Sequence, residues 1–394
     1  MKDLLPPRRI LLGPGPSMVH PRVLRALSTP LLGHLDPAFL QVMNDVQELL
    51  RQVFATANRF TIAISGTGSA GMEAAIVNLV EPGDSVLVGI NGVFGTRLAT
   101  IVERCGGTPI KVEAPWGQIV EPEAIEAALR RSGPVKAVAL VHAETSTGVW
   151  QPIENMGRLC RQYDSLLILD TVTSLAGIPV DVDRHGIDVC YSGTQKCLSC
   201  PPGLAPFTLS DRALASIKNR RVPCQSWYLD MLLVSDYWTE RNRAYHHTAP
   251  ISMLYALREA LALVQEEGLP ARYSRHKLHA ESLVAGLTAL GFTPLPPTQH
   301  RLPMLTCVTV PPHIDEMAVR TELLEKFGIE IGGGLGPLKG KVWRIGLMGE
   351  SCTEANVLTL LNALEEIGSR SGWISSSGIA SQAAARVYGG VTHT

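Results

Sequence analysis

The sequence has no basic excess, no long apolar run and no disulfide-like cysteine pattern, and each absence removes a class of function. Its 35 Lys and Arg residues against 36 Asp and Glu give a net charge of −1. Neither a nucleic-acid backbone nor an acidic membrane surface would find a counter-charge here. No uninterrupted stretch is long enough to span a bilayer, and Met1 to Arg9 carry charges and two prolines in place of the apolar core of a secretory signal. The eight cysteines are scattered, several in apolar surroundings such as those of Cys105, Cys160, Cys190 and Cys307. That suits reduced thiols in a large core. A cytoplasmic or organelle-matrix protein is expected. The C-terminal Val391-Thr392-His393-Thr394 is not a peroxisomal address of the Ser-Lys-Leu type.

Metal and nucleotide signatures are also missing. Cys197-Leu198-Ser199-Cys200 has the spacing of a redox or zinc site, but no second such pair and no nearby histidine pair completes four ligands. A tight loop with packed or accessible thiols is expected there. His246 and His247 are adjacent and would point to opposite sides of an extended strand, so no metal is expected. Ser65-Gly66-Thr67-Gly68-Ser69 lacks the lysine of a P-loop and the spacing of a dinucleotide fingerprint.

What is present is a long alternation of strand and helix. With 394 residues, 45% hydrophobic and 18% charged, the chain exceeds one ordinary core, and two domains are expected. Leu11-Leu12-Gly13-Pro14-Gly15-Pro16-Ser17 alternates glycine with proline and reads as a rigid extended segment. Helices are predicted from about Pro21 and over Pro37–Phe54, where Phe39, Leu40, Met43, Val46, Leu49, Leu50 and Val53 recur at helical spacing. Short apolar runs at 60–64, 85–88, 109–112, 137–141, 166–170 and 188–191 read as buried strands, with helices at 70–79, 95–105, 121–131 and 154–163 between them. Such alternation predicts a mostly parallel sheet covered on both faces.

Chemistry in such a sheet gathers beyond the carboxyl ends of the strands. The predicted strand ends carry, in order, the Ser65–Ser69 turn, the turn Asn91–Gly95 with Phe94, the small polar run His142–Gly148, Asp170, and Ser192-Gly193-Thr194-Gln195-Lys196. Backbone N–H groups at the start of a helix after Ser69 offer a phosphate site, though the same turn is also that of an ordinary well-capped helix. An aspartate and a lysine so placed suit pyridoxal phosphate: the amine can form a Schiff base, and the carboxylate can keep the ring nitrogen protonated. A plain ion pair at the sheet rim is the other reading of the same two residues.

Several of these motifs together resemble a known family. Ser65-Gly66-Thr67-Gly68, Glu144-Thr145-Ser146-Thr147-Gly148, Leu169-Asp170 and Ser192-Gly193-Thr194-Gln195-Lys196 are similar to the markers of the class V aminotransferases, within the fold-type I pyridoxal 5′-phosphate enzymes. Leu12-Gly13-Pro14-Gly15-Pro16-Ser17, Tyr245-His246-His247-Thr248, Gly333-Gly334-Leu335-Gly336 and Trp343-Arg344-Ile345-Gly346-Leu347 resemble its alanine:glyoxylate (serine:pyruvate) branch. The likeness runs over roughly residues 10–366. It implies an α/β fold with a mostly parallel seven-stranded sheet in a large domain (21–255), after an N-terminal extended segment (1–20). A smaller C-terminal α/β domain (256–367) would follow. From Gly368 the chain turns to Ser, Gly and Ala with little apolar periodicity, which reads as a loosely ordered tail or a short extension (368–394).

By the same resemblance, Lys196 would carry the Schiff base and shuttle a proton, Asp170 would pair with the pyridinium nitrogen, and Thr145 would bond the ring hydroxyl. Phe94 would stack on the ring, while Thr67, Gly68, Ser69 and Gln195 would hold the phosphate. Tyr245 and Thr248 would reach the phosphate of a neighbouring subunit, so a homodimer with shared sites is implied. Arg344 would clamp the substrate carboxylate, with Gly15 and Thr145 beside it. The partners implied are small amino acids and 2-oxo acids, passing an amino group from alanine or serine to glyoxylate or pyruvate in a ping-pong reaction.

The sequence departs from the mammalian pattern at three places: Phe94 stands for tryptophan, Ser69 for histidine and Thr145 for serine. Substrate choice is less secure than cofactor binding on that account. Relatives that accept hydroxykynurenine or aminoethylphosphonate are alternatives. Cysteine desulfurases or lyases are another, with Cys352 as a conceivable sulfur carrier, but Gln195 and Phe94 occupy places where desulfurases have histidine. A non-enzymatic scaffold would be expected to lose the lysine first. Downstream, helices are predicted at 253–267, 271–291 and 316–327, and strands at 304–310 and 341–347, the last carrying Arg344.

Overall fold

The six apolar runs read from the sequence and a seventh strand not singled out there, Leu204–Leu209, assemble into one sheet in a computed structural model that describes residues 4–238, 243–374 and 377–390. The residues around Val391–Thr394, and with them the reading of the C-terminus as an address, lie outside the described residues. In space the strands run Phe60–Ser65, Leu204–Leu209, Val189–Tyr191, Leu166–Asp170, Ala137–Val141, Ser85–Ile90 and Thr108–Glu113. Leu204–Leu209 is antiparallel to both neighbours and every other contact is parallel. Strands such as Leu166–Asp170 are buried along their whole length, because helices cover both faces, and so they read as continuous apolar runs without alternation. Each fully buried Leu, Ile or Val contributes roughly 1.5–3 kcal/mol to that core.

The covering helices follow their sequence signals closely. Pro37–Phe54 starts behind Asp36, whose carboxylate accepts from the Ala38 N–H at 2.8 Å, and turns Phe39, Met43, Val46 and Leu50 inward. Ile251–Glu267 packs on the same core through Leu254, Leu257, Leu261 and Val264. Gly268, with φ of 79°, then breaks it from Leu269–Ala289, a backbone angle that glycine adopts without penalty.

A second core forms around a four-stranded sheet ordered Thr293–Pro294, Leu305–Thr309, Val342–Gly346 and Gly332–Gly333. Leu283, Phe292, Trp343, Ile345, Leu360 and Leu364 fill it, with the Phe292 and Trp343 rings 4.8 Å apart. The N-terminal segment belongs here. Ile10–Leu11 pairs in parallel with Ile329–Glu330, and Leu12 is buried in this core.

Three local expectations are corrected. The last stretch is not loose: Ile379–Gly389 is a helix whose Ala380 and Ala384 are buried, and Glu365 accepts from the Gly378 and Ala380 N–H groups at 3.0 and 2.5 Å. Alanine gives little apolar periodicity, yet it is the best helix former, so the compositional sign pointed the wrong way. Phe94 lies in the first turn of the helix Val93–Arg104 instead of a loop. His246 and His247 are not in a strand, and their Nδ1 atoms lie 2.7 Å apart, because the backbone turns there.

Candidate active site

The parallel strands end on one edge of the large sheet, and five of these ends surround a cavity of about 290 Å³. Leu166–Asp170 delivers Asp170 there. Its Oδ1 accepts from the Val172 N–H at 2.8 Å and its Oδ2 from the Tyr191 hydroxyl at 2.9 Å. Burial pushes this carboxyl up to about 6, against the pull of those two bonds. A buried carboxylate raised in this way favours a cation in front of it.

Lys196 follows the next strand, Val189–Tyr191, and faces the same cavity. Burial lowers its amine to about 8, and Nζ donates to the Pro14 carbonyl. The N-terminal segment closes over it. Ser17 Oγ bonds the Lys196 carbonyl at 2.8 Å and its N–H bonds that of Gln195 at 2.8 Å. Gly15 has φ of 106°, and a Cβ there would lie 2.6 Å from Nζ, so only glycine leaves room for the lysine.

The opposite wall is the start of the helix Gly68–Leu79. Its N-cap residue Thr67 makes no side-chain cap bond, which leaves first-turn N–H groups for a ligand. Gln195 adds a buried Oε1 with no partner. Phe94 and Thr145 complete the lining.

Arg344 sits on Val342–Gly346 and is almost fully buried. Its Nε donates to the Gly333 carbonyl at 2.7 Å and Nη1 to the Thr145 carbonyl at 3.3 Å. The second lobe therefore delivers a guanidinium to the loop that lines the cavity.

Thus Thr67, Gly68, Ser69, Phe94, Thr145, Asp170, Gln195 and Lys196 share one cavity, with Gly15 against Lys196 and Arg344 against Thr145. Tyr245 and Thr248 do not join them. Tyr245 is 59% exposed, and its hydroxyl lies 3.4 Å from the Thr248 hydroxyl on the surface. The Cys197–Cys200 loop is packed: both thiols are buried and free, and Cys197 donates to the Thr173 carbonyl at 3.2 Å.

Three contributors were not singled out in the sequence. Glu144 is fully buried and accepts from the Phe94 N–H at 3.0 Å and from the Ser146 N–H and hydroxyl at 3.0 and 2.6 Å. It acts as an acidic cap on the helix that carries Phe94, although in the sequence it figures only as part of a motif. Arg97 lines the cavity, its guanidinium 5.1 Å from the Phe94 ring centre. Arg272, from the long helix Leu269–Ala289, donates to the Ala176 carbonyl at 3.1 Å and to the Cys197 carbonyl, tying the second lobe to the loop after Lys196. No local pattern marks such a contact.

Comparison with known proteins shows what the whole chain is similar to. The family described as aminotransferase class-V matches residues 11–346. Alanine–glyoxylate aminotransferase from Callithrix jacchus is 43% identical, over 93% of this chain and 89% of its own length. The crystal structure of alanine–glyoxylate aminotransferase from Nostoc sp. superposes with a TM-score of 0.92 at 48% identity, covering 93% of this chain and 97% of that one. That of ureidoglycine–glyoxylate aminotransferase from Bacillus subtilis superposes with a TM-score of 0.96 at 44% identity, covering 98% and 100%.

Proposed function

On the premise that the chain belongs to the class V aminotransferases, which depend on pyridoxal 5′-phosphate, we propose that it transfers the amino group of alanine or serine to glyoxylate or pyruvate. The cavity fits the cofactor. It has an open helix N-terminus for a phosphate, a buried carboxylate at Asp170 for a ring cation, and the Lys196 amine in the same lining. When bound, the cofactor supplies an aldehyde that condenses with amines and a ring that accepts the electron pair released at the substrate Cα.

The chain's own residues do the rest. Lys196 presents an amine that is partly neutral near physiological pH because burial has lowered it to about 8. Nζ would be the base that takes the proton from the substrate Cα, and then the acid that returns one. Asp170 would hold a ring cation, its carboxylate fixed in direction by the bonds it accepts from the Val172 N–H and the Tyr191 hydroxyl. Thr67, Gly68, Ser69 and Gln195, the last through its amide N–H, would hold the phosphate. Thr145 would bond the ring hydroxyl, and Phe94 would pack against the ring. Arg344, bonded to the Thr145 carbonyl, would orient the substrate carboxylate, with Gly15 lying against Lys196.

The observation that carries the small-substrate reading is the cavity itself, about 290 Å³ with cofactor and substrate still to share it. A sulfur-transfer reading is not favoured. Cys352 is buried in the second core, and burial pushes its thiol up to about 12, so it neither ionises readily nor reaches a substrate. Glyoxylate as acceptor is supported by two relatives whose names both include it, and the ureidoglycine name, on a chain matched over 98% of this one, favours ureidoglycine as a second donor.

The site is read as completed in a homodimer, where Tyr245 and Thr248, idle on their own surface, reach the partner's phosphate. The eight free thiols support a cytoplasmic setting. Among the described residues no helix is long and apolar enough to cross a membrane.

The experiment is an absorbance spectrum of the holoenzyme with alanine, then glyoxylate, added in turn. Loss of the visible band with alanine and its return with glyoxylate support the proposal. A band moved by ureidoglycine alone would change the donor, and a band moved by no amino donor would sink it. Mixing Lys196→Ala with Tyr245→Phe chains tests sharing: rescued activity supports a shared site, and none argues against it.

A further inference from the structure

Apart from the cofactor cleft, a cavity of about 510 Å³ opens between the lobes. Its walls are one face of the helix Leu269–Ala289, the loop from Pro294 to Pro303, the start of the strand Leu305–Thr309, and Gly148 with Trp150 from the large lobe. Trp150, Val284, Ala285, Pro296, Leu302 and Pro303 make most of its surface apolar. The prolines stiffen the loop, so the void is held open by the fold instead of collapsing. Apolar cavities of this size with a few polar groups are where small ligands bind.

The polar group that selects the ligand is Arg301. It is half-buried in the wall, and its Nε donates to the Pro296 carbonyl at 3.0 Å. Among the described residues it takes part in no ion pair. The other cation of the lining, Lys277, already faces Glu281 at 3.9 Å. A guanidinium left with free donors beside an apolar cavity matches a carboxylate attached to an apolar body.

We propose that this cavity is a second ligand site, taking an aromatic or branched aliphatic monocarboxylate whose apolar part packs on Trp150 and Val284 and whose carboxylate meets Arg301. The site is separate from the substrate position but built on the same strands. Cys307 in its wall pairs directly with Arg344. Gly148, with φ of 79°, lies so close that a Cβ would be 2.8 Å from Cys307 Cβ. The Leu302 N–H bonds the Gly148 carbonyl at 3.1 Å, and the Gly148 N–H bonds that of Glu144 at 2.8 Å. The cavity wall is thus continuous with the loop that carries Thr145. The proposal does not depend on which amino donor the enzyme uses.

The test is equilibrium binding of 2-naphthoate, followed by its fluorescence, to the holoenzyme in the presence of saturating glyoxylate. Saturable binding is expected. Arg301→Met should weaken it by about ten-fold, the usual scale of one charge-assisted contact, while the uncharged 2-naphthalenemethanol should bind both proteins alike. Val284→Trp and Ala285→Trp, each checked by visible absorbance and kcat for retained fold, should abolish binding by filling the void. No saturable binding in the presence of glyoxylate, or affinity unchanged in Arg301→Met, would each overturn the proposal.

Discussion

Replacing Asp170 by asparagine separates the charge of this residue from its shape. The carboxylate is 3% exposed, and burial raises its pKa from 3.8 to about 6 despite hydrogen bonds from Val172 and Tyr191. A displacement of that size corresponds to about 3 kcal/mol for ionising the group in the empty cavity. A ring cation facing it has to offset this cost, and removing the carboxylate leaves that cation buried and unpaired, at a similar expense of about 3–5 kcal/mol. The amide oxygen of the substituted side chain can still accept from the Val172 N–H, so the fold should persist. Cofactor affinity should fall by roughly 10²-fold or more, and kcat by at least as much. The assay is fluorescence titration of the apoprotein with pyridoxal 5′-phosphate at pH 8, alongside alanine–glyoxylate turnover. A control comes from the sign of the linkage. The native carboxyl keeps its proton up to about pH 6 while the unfolded one releases it near 3.8, so its contribution to apoprotein stability is full below that lower value and is lost as pH rises through about 6. In urea unfolding, wild type should therefore lose about 3 kcal/mol relative to Asp170→Asn between those limits. Affinity and kcat within three-fold of wild type would refute the placement of Asp170 against the ring.

The remaining predictions test other parts of the cavity. The rate at which apoprotein recombines with pyridoxal 5′-phosphate should rise with pH and level off above about 8, as the Lys196 amine becomes neutral; a rate flat from pH 6 to 9 would contradict it. Gly15→Ala places a Cβ 2.6 Å from Nζ at a φ of 106°, and should lower kcat by about ten-fold or more while costing roughly 1–3 kcal/mol in urea unfolding. Glu144→Ala strands the N–H groups of Phe94 and Ser146 and should destabilise the apoprotein by about 1–3 kcal/mol, read as a lower Tm. Arg344→Lys keeps the charge but loses the planar fork, and should raise KM for glyoxylate by roughly 10-fold or more with a smaller change in kcat.

Much of the large lobe could be read locally. Leu166–Asp170 and Pro37–Phe54 fall where their apolar periods put them, since a strand buried on both faces and a helix buried on one leave different patterns. Lys196 and Asp170 were visible because a polar residue ending an apolar run has few other places to go. Glu144, although quoted within a motif, gave no sign that it would cap the helix of Phe94 from about fifty positions away in sequence. Arg272 looked like any helix arginine, and the alanine-rich stretch 379–389 looked like loose chain, because its packing depends on the Leu269–Ala289 helix and not on its own polarity.

Short stretches of sequence carry most of the alternation of strands and helices and the polar residues, such as Asp170 and Lys196, that follow the strands, and through them the cofactor and the family. These are properties of short windows, in which a period of two or 3.6 and a turn residue act on near neighbours. Tertiary structure alone decided which strand lies beside which, so that Leu204–Leu209 runs antiparallel between Phe60–Ser65 and Val189–Tyr191. It also decided that Ile10–Leu11 joins Ile329–Glu330 and brings Gly15 onto Lys196, and that Arg344 arrives beside Thr145 from another lobe. Such meetings join residues hundreds of positions apart, and they are selected by how whole surfaces pack, which no local pattern records.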